Sequence, residues 1–129
     1  MSSRQDKAVE LKNRTGDAHY NCCQAVACVF SDEVGVSEET LRKLGAGFGL
    51  GMGTMEATCG ALCGAQMVLG LMKYNGKPIR NEAAELYREF AAKCGATICR
   101  EIKGVGTGKV LCTCDECVRN AVELMEQRI

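Results

Sequence analysis

From Leu44 to Met72 the chain carries a single charged residue, Glu56. An uncharged run of that length has two physical outlets, a membrane span or the centre of a folded helical core. Glycine decides between them. It stands at 45, 47, 49, 51, 53, 60, 64 and 70, and the first half of the run is too glycine-rich to sustain a helix. Charged residues also stand close on both sides. The run therefore predicts a glycine loop leading into a buried central helix over about 55–73, and no membrane span.

The rest of the chain has helical periodicity and no strict strand alternation flanked by hairpin turns. The pattern predicts a charged helix over about 4–14, stopped near Gly16, and a second helix over about 18–31. The second is apolar on nearly every side from Tyr20 to Phe30, which places it at the centre of a bundle. Ser37 reads as the N-cap of a short helix reaching Leu44, and Asn81 as the N-cap of a helix over about 82–94 that stops at Gly95. A second glycine-alternating loop, Gly104-Val105-Gly106-Thr107-Gly108, precedes a last helix from about Cys114 to Gln127. The expectation is an all-α single domain over 1–129, a compact bundle of five to six helices with two glycine-rich loops.

Lys plus Arg equals Asp plus Glu at 16 each, so the basic face of a general nucleic-acid binder is not expected. Trp is absent and aromatics are few, which removes base-stacking platforms. The stretch Met1-Ser2-Ser3-Arg4-Gln5-Asp6-Lys7 is polar and offers no export signal. A cytoplasmic, reducing setting is expected, where permanent disulfides are uncommon.

In such a setting ten cysteines in 129 residues point to metal or redox chemistry. Cys59 and Cys63 are four apart on the predicted central helix and would share a face. Cys114 and Cys117 form a C-x-x-C at the start of the last helix, where partial positive charge favours thiolate. Cys22, Cys23 and Cys28 fall on the second helix, and Cys94 and Cys99 bracket the end of the fifth. Cys28 and Cys94, among small apolar residues or at a helix end, read as packing.

Several chemistries are excluded. Only one C-x-x-C pair exists and His19 is the lone histidine, which disfavours structural zinc fingers of mixed ligation. There is no ferredoxin-style cysteine run and no C-x-x-C-H haem attachment. Neither glycine loop gives G-x-G-x-x-G, and Gly108-Lys109 lacks the rest of a Walker A loop. The glycines, including Gly60 and Gly64, read as permitting close packing. Met52, Met55, Met67, Met72 and Met125 read as core filler. His19 reads as a half-exposed first-turn residue.

The motif order Asn21-Cys22-Cys23-Gln24-Ala25-Val26, Cys59-Gly60-Ala61-Leu62-Cys63-Gly64, Cys99-Arg100-Glu101-Ile102, then Cys114 ahead of Val118-Arg119-Asn120-Ala121-Val122-Glu123-Leu124 resembles the redox-active proteins named for a C, GCAxxG, C, C pattern. The resemblance runs from about residue 19 to the C-terminus, and the hexapeptide from Cys59 to Gly64 is its most specific piece. It implies a small helical fold with four signature cysteines, here Cys22, Cys59, Cys99 and Cys114. A related domain in split-Soret cytochromes holds an iron–sulfur cluster through cysteines. The implied cofactor is thus an iron–sulfur cluster, [2Fe–2S] in type. The six further cysteines leave Cys23 as an alternative to Cys22, and Cys112 and Cys117 as alternatives to Cys114.

The leading expectation is electron transfer or redox sensing through that cluster, with an electron-transfer protein as partner. One alternative is a thiol–disulfide oxidoreductase using thiols among Cys59, Cys63, Cys114 and Cys117. Another is a structural metal-binding module. Whether the protein is an enzyme stays open between them. A homodimer is expected from the apolar, glycine-rich middle.

Overall fold

The computed structural model describes residues 2–129. The fold is all-α. The helices are α1 (Ser3–Lys12), α2 (Cys22–Cys28), α3 (Ser31–Val34), α4 (Glu38–Gly45), α5 (Gly60–Lys73), α6 (Arg80–Cys94), α7 (Cys99–Ile102) and α8 (Cys114–Glu126). Six of these run seven residues or more, while α3 and α7 are single turns. A 3₁₀ turn (Gly16–Ala18) precedes α2, and an irregular wide turn (Gly51–Met55) precedes α5. Among the described residues there is no strand, only an isolated antiparallel bridge between Thr58 and Ile98.

Helix α2 is the hub, packed against α1, α4, α5 and α8. Ala25, Val26 and Ala27 are fully buried, as all-round apolarity requires. It begins later than the sequence suggests. The Asn21 side chain accepts from the Gln24 amide at 2.8 Å, and the Gln24 side chain accepts from the Asn21 amide at 2.8 Å. This capping box fixes the first helical residue as Cys22. His19 therefore lies outside the helix rather than in its first turn.

Helix α5 crosses α2 at unusually short range. A Cβ on Gly64 would sit 2.6 Å from the Cys23 carbonyl oxygen, and one on Gly60 would sit 2.8 Å from the Phe48 carbonyl oxygen. The two glycines, one turn apart, let backbone meet backbone. The helix starts at Gly60 and not near 55, because Met55 is left-handed and Thr58 is drawn into the bridge with Ile98. Ser37 caps α4 through the Thr40 amide, and Gly95 ends α6 in the left-handed region at φ 86°. Asn81 does not cap α6; Ile79 occupies that position and Asn81 lies inside the first turn.

The largest fully buried side chains include Phe30, Phe90, Leu41, Leu62, Leu69 and Leu86. Met125 joins this core, whereas Met52 is 53% exposed and fills nothing. Among the described residues no helix is long and apolar enough to cross a membrane. The uncharged run is therefore spent on a glycine-rich turn and the buried faces of α5.

Candidate metal and redox centre

Four helix beginnings converge. Cys22 is the first residue of α2, Cys99 the first of α7 and Cys114 the first of α8, while Cys59 is the N-cap of α5. All four thiols line one cavity of about 310 Å³. Cys112 and Cys117 line it as well, together with Lys12 and Lys103. Helix N-termini carry partial positive charge and unpaired amides, which works toward the thiolate while burial works against it.

Local structure explains the convergence. The Cys59 amide donates to the Thr97 carbonyl at 2.7 Å, and the Cys99 amide donates to the Ala57 carbonyl at 2.9 Å. This bridge pins the starts of α5 and α7 side by side. At α8, Thr113 accepts from the Glu116 amide at 3.1 Å, and the Glu116 carboxylate accepts from the Thr113 amide at 3.0 Å. That capping box sets Cys114 as the first residue and Cys117 one turn further in. The bridge and the single turn α7 carry too little periodicity to be read from sequence.

The thiols are electrostatically unequal. A hydrogen bond from Cys22 and the ammonium of Lys103 bring Cys114 down to about 5, against the cost of burial. The donor role and burial push Cys22 up. Lys12, held by Asp115 at 2.8 Å, adds positive charge toward both. Cys59 is lowered by a hydrogen bond from Cys117. Its sulfur makes no cap hydrogen bond of normal geometry, yet the Ala61 and Leu62 amides lower it further. Cys99 is raised by burial.

Three sulfurs form a tighter group at the edge of the cavity. The thiols of Cys94, Cys112 and Cys117 lie within 4.8 Å of one another, all buried, the geometry of a metal-binding set. The Asn120 side-chain amide donates to Cys94 at 3.4 Å and to Cys112 at 3.8 Å. A hydrogen bond from Cys117, with help from Asn120 and Cys112, lowers Cys94 to about 6. Cys94 thus departs from the packing role expected of it. No sequence signal marks it, because its partners Cys112, Cys117 and Asn120 reach it only through the packing of α6 against α8.

The remaining cysteines separate from the centre. Cys63 sits within α5, with its sulfur toward the Thr58 carbonyl at 3.9 Å and outside the cavity lining. Cys59, the N-cap of the helix, lines the cavity, whereas Cys63 one turn on does not. Cys23 points to the Met67 sulfur at 3.8 Å and Cys28 to the Glu38 carbonyl at 3.6 Å, and burial raises both to about 12. Of the neighbours Cys22 and Cys23, only Cys22 lines the cavity. His19 is exposed at the cavity wall, its Nδ1 paired with the Arg14 carbonyl at 3.0 Å.

Backbone strain borders the cavity. Leu50, Met52 and Met55 all have positive φ, at 53°, 58° and 64°. Non-glycine residues there cost about 1–3 kcal/mol each and tend to cluster at functional sites. Leu50 lines the cavity while remaining 51% exposed.

A helical protein that gathers cysteine thiols around one cavity, with three of its sulfurs close enough to hold a metal ion, is by class a cysteine-rich helical protein. The chain belongs to the family described as "Putative redox-active protein (C_GCAxxG_C_C)", whose family model matches residues 20–128. Comparison with curated proteins and with solved structures gives no match.

Proposed function

We propose that the protein is an electron carrier or redox sensor holding an iron–sulfur cluster through Cys22, Cys59, Cys99 and Cys114. The observation that carries this reading is the shared cavity of about 310 Å³ lined by all four thiols. It is far larger than the ~30 Å³ that one water occupies. A single ion would leave it mostly empty, while a polynuclear group of iron and sulfide suits both its size and an all-sulfur donor set.

When bound, such a cluster supplies one-electron chemistry. The chain's own groups would do the rest. Four thiolates bring four negative charges into a low-dielectric site, and Lys12 and Lys103 offset part of that charge. Helix N-terminal amides add fixed dipoles of the same sign, which raises a cluster's reduction potential. The walls made by α2, α5 and α8 bury Cys59 and Cys99, while Cys22 and Cys114 stay partly exposed. The exposed Leu50 gives an apolar rim for an electron-transfer partner or a second copy. This reading includes one domain over 1–129, a [2Fe–2S] type and a cytoplasmic setting.

The test is iron and acid-labile sulfide per chain, with absorbance and electron paramagnetic resonance spectra, on anaerobically purified protein. Iron with matching sulfide, lost in Cys59→Ser and Cys22→Ser, supports the cluster. Iron-free protein after strictly anaerobic reconstitution overturns it.

One observation favours a second reading. The Lys103 ammonium donating to the Cys114 sulfur, with the Cys22 thiol on the same cavity wall, is the arrangement of a dithiol with one activated thiolate. Cys114 would attack a partner disulfide and release one partner thiol. Cys22, losing its proton to solvent, would then attack the mixed disulfide, releasing the second thiol and leaving a Cys22–Cys114 disulfide. Disulfide mapping after mild oxidation of metal-free protein tests this pair against Cys59–Cys63 and Cys114–Cys117.

A further inference from the structure

Cys94 ends α6, Cys112 lies in the loop before α8, and Cys117 closes the first turn of α8. Their sulfurs lie within 4.8 Å of one another and all three residues are buried. We propose that this trio is a second metal site, mononuclear and adjoining the four-cysteine set in the cavity that Cys112 and Cys117 share with it, that takes a thiophilic divalent ion of the zinc class.

The donor chemistry selects the ion class. The group offers sulfur alone, with no carboxylate or imidazole in it. Glu116 is the nearby acid by sequence, but its carboxylate is occupied by the Thr113 amide at 3.0 Å. Sulfur-only sets exclude hard ions such as Mg²⁺ and Ca²⁺. Geometry selects nuclearity. Zn–S bonds of ~2.3 Å at tetrahedral angles put sulfurs ~3.8 Å apart. From separations within 4.8 Å, each pair reaches that spacing by contracting ~1 Å at most. A polynuclear cluster would spread its ligands over several metal atoms, and this group is too tight for that.

Asn120 is the supporting residue. Its amide nitrogen reaches both Cys94 and Cys112, at 3.4 and 3.8 Å. An N–H donor shared between two sulfurs suits thiolates, and it sets their spacing from outside the metal's own shell. Cys112 and Cys117 also line the cavity, so the fourth position can be filled from that side, by water or a small ligand. This site does not depend on the cluster reading, and Cys59 is not among its ligands.

The test uses the full chain, metal-free and anaerobic, carrying Cys22→Ser and Cys59→Ser to remove half of the cavity set. Co²⁺ is titrated in, displaced by Zn²⁺, and followed by absorbance and metal analysis. Helix content is checked by circular dichroism for each variant. We expect equimolar Co²⁺ with thiolate charge-transfer bands and tetrahedral d–d bands. Adding Cys94→Ser or Cys112→Ser should abolish them. Asn120→Leu, which keeps all three sulfurs, should weaken binding by about 10–100-fold. Should Cys94→Ser fail to fold, the loop variant Cys112→Ser and Asn120→Leu carry the result. Absence of stoichiometric binding, or binding unchanged in folded Cys112→Ser, overturns the proposal. Loss of iron in the Cys22→Ser/Cys59→Ser background bears on the cluster alone, so the two readings fail separately.

Discussion

The Lys103 ammonium donates directly to the Cys114 sulfur, joining the end of α7 to the start of α8 at the cavity wall. Lys103 is the C-cap of the single turn that begins with Cys99. One short element therefore delivers both a thiol and the cation that stabilises another thiol as its anion.

In metal-free protein, Cys114 should react as a thiolate down to about pH 5, against an ordinary thiol value of 9.0. Its alkylation rate, read by mass spectrometry across pH, should fall only below that point. Lys103→Met should move the profile upward. Because the folded value is depressed, the stabilisation linked to Cys114 is complete above the unfolded value of 9.0. It is lost as pH falls through about 5.

Gly64 and Gly70 lie on the same helix but should respond oppositely to alanine. A Cβ at Gly64 meets the Cys23 carbonyl oxygen at 2.6 Å, whereas one at Gly70 has nothing within 4 Å. Gly64→Ala should cost about 1–3 kcal/mol by forcing α2 and α5 apart. Gly70→Ala should gain about 0.5–1 kcal/mol by restricting the unfolded chain. Urea unfolding of the two variants gives the comparison.

Cys22 and Cys23 are adjacent in sequence and face different surroundings, the cavity and the Met67 sulfur. Cys23→Ala and Cys28→Ala should keep their iron and sulfide while losing roughly 1 kcal/mol of stability from the small voids. Cys22→Ala and Cys99→Ala should lose iron and sulfide. Metal and sulfide analysis of the four purified variants separates the sets. Retention of full loading by Cys22→Ala would remove it from the ligand set.

Thr113→Ala should destabilise the protein by about 1 kcal/mol through loss of the α8 cap. The same cap positions Cys114 and Cys117, so this variant should also release bound metal faster to a chelator than Ser37→Ala. Ser37 caps α4, which carries no cavity thiol. Equal release rates would separate the cap from the centre.

Much of this architecture was legible in the chain. Residue patterns at Ser37, Gly95 and Cys114 located helix ends because capping is a local property, settled by a few neighbouring residues. Asn81 misled for the same reason in reverse. It is a good capping residue, but the helix starts ahead of it at Arg80. The early start expected for α5 ignored Thr58, whose partner Ile98 is remote in sequence. Gly60 and Gly64 were readable as a packing device, since small residues one turn apart have few other uses.

The thiols divide along the same line. Residue order alone determined that the chain is helical, that a largely buried helix follows the glycine-rich stretch, and that Cys114 falls at the start of the last helix. It could not tell Cys94 from Cys28, because both sit among small apolar neighbours. Packing of α6 against α8 places Cys94 beside Cys112, Cys117 and Asn120, while Cys28 packs in the apolar core with its sulfur toward a carbonyl of α4. Helix identity is set within a few residues by local hydrogen bonds and apolar period. Sulfur-to-sulfur distance depends on how separate helices cross, and only the tertiary structure decides that.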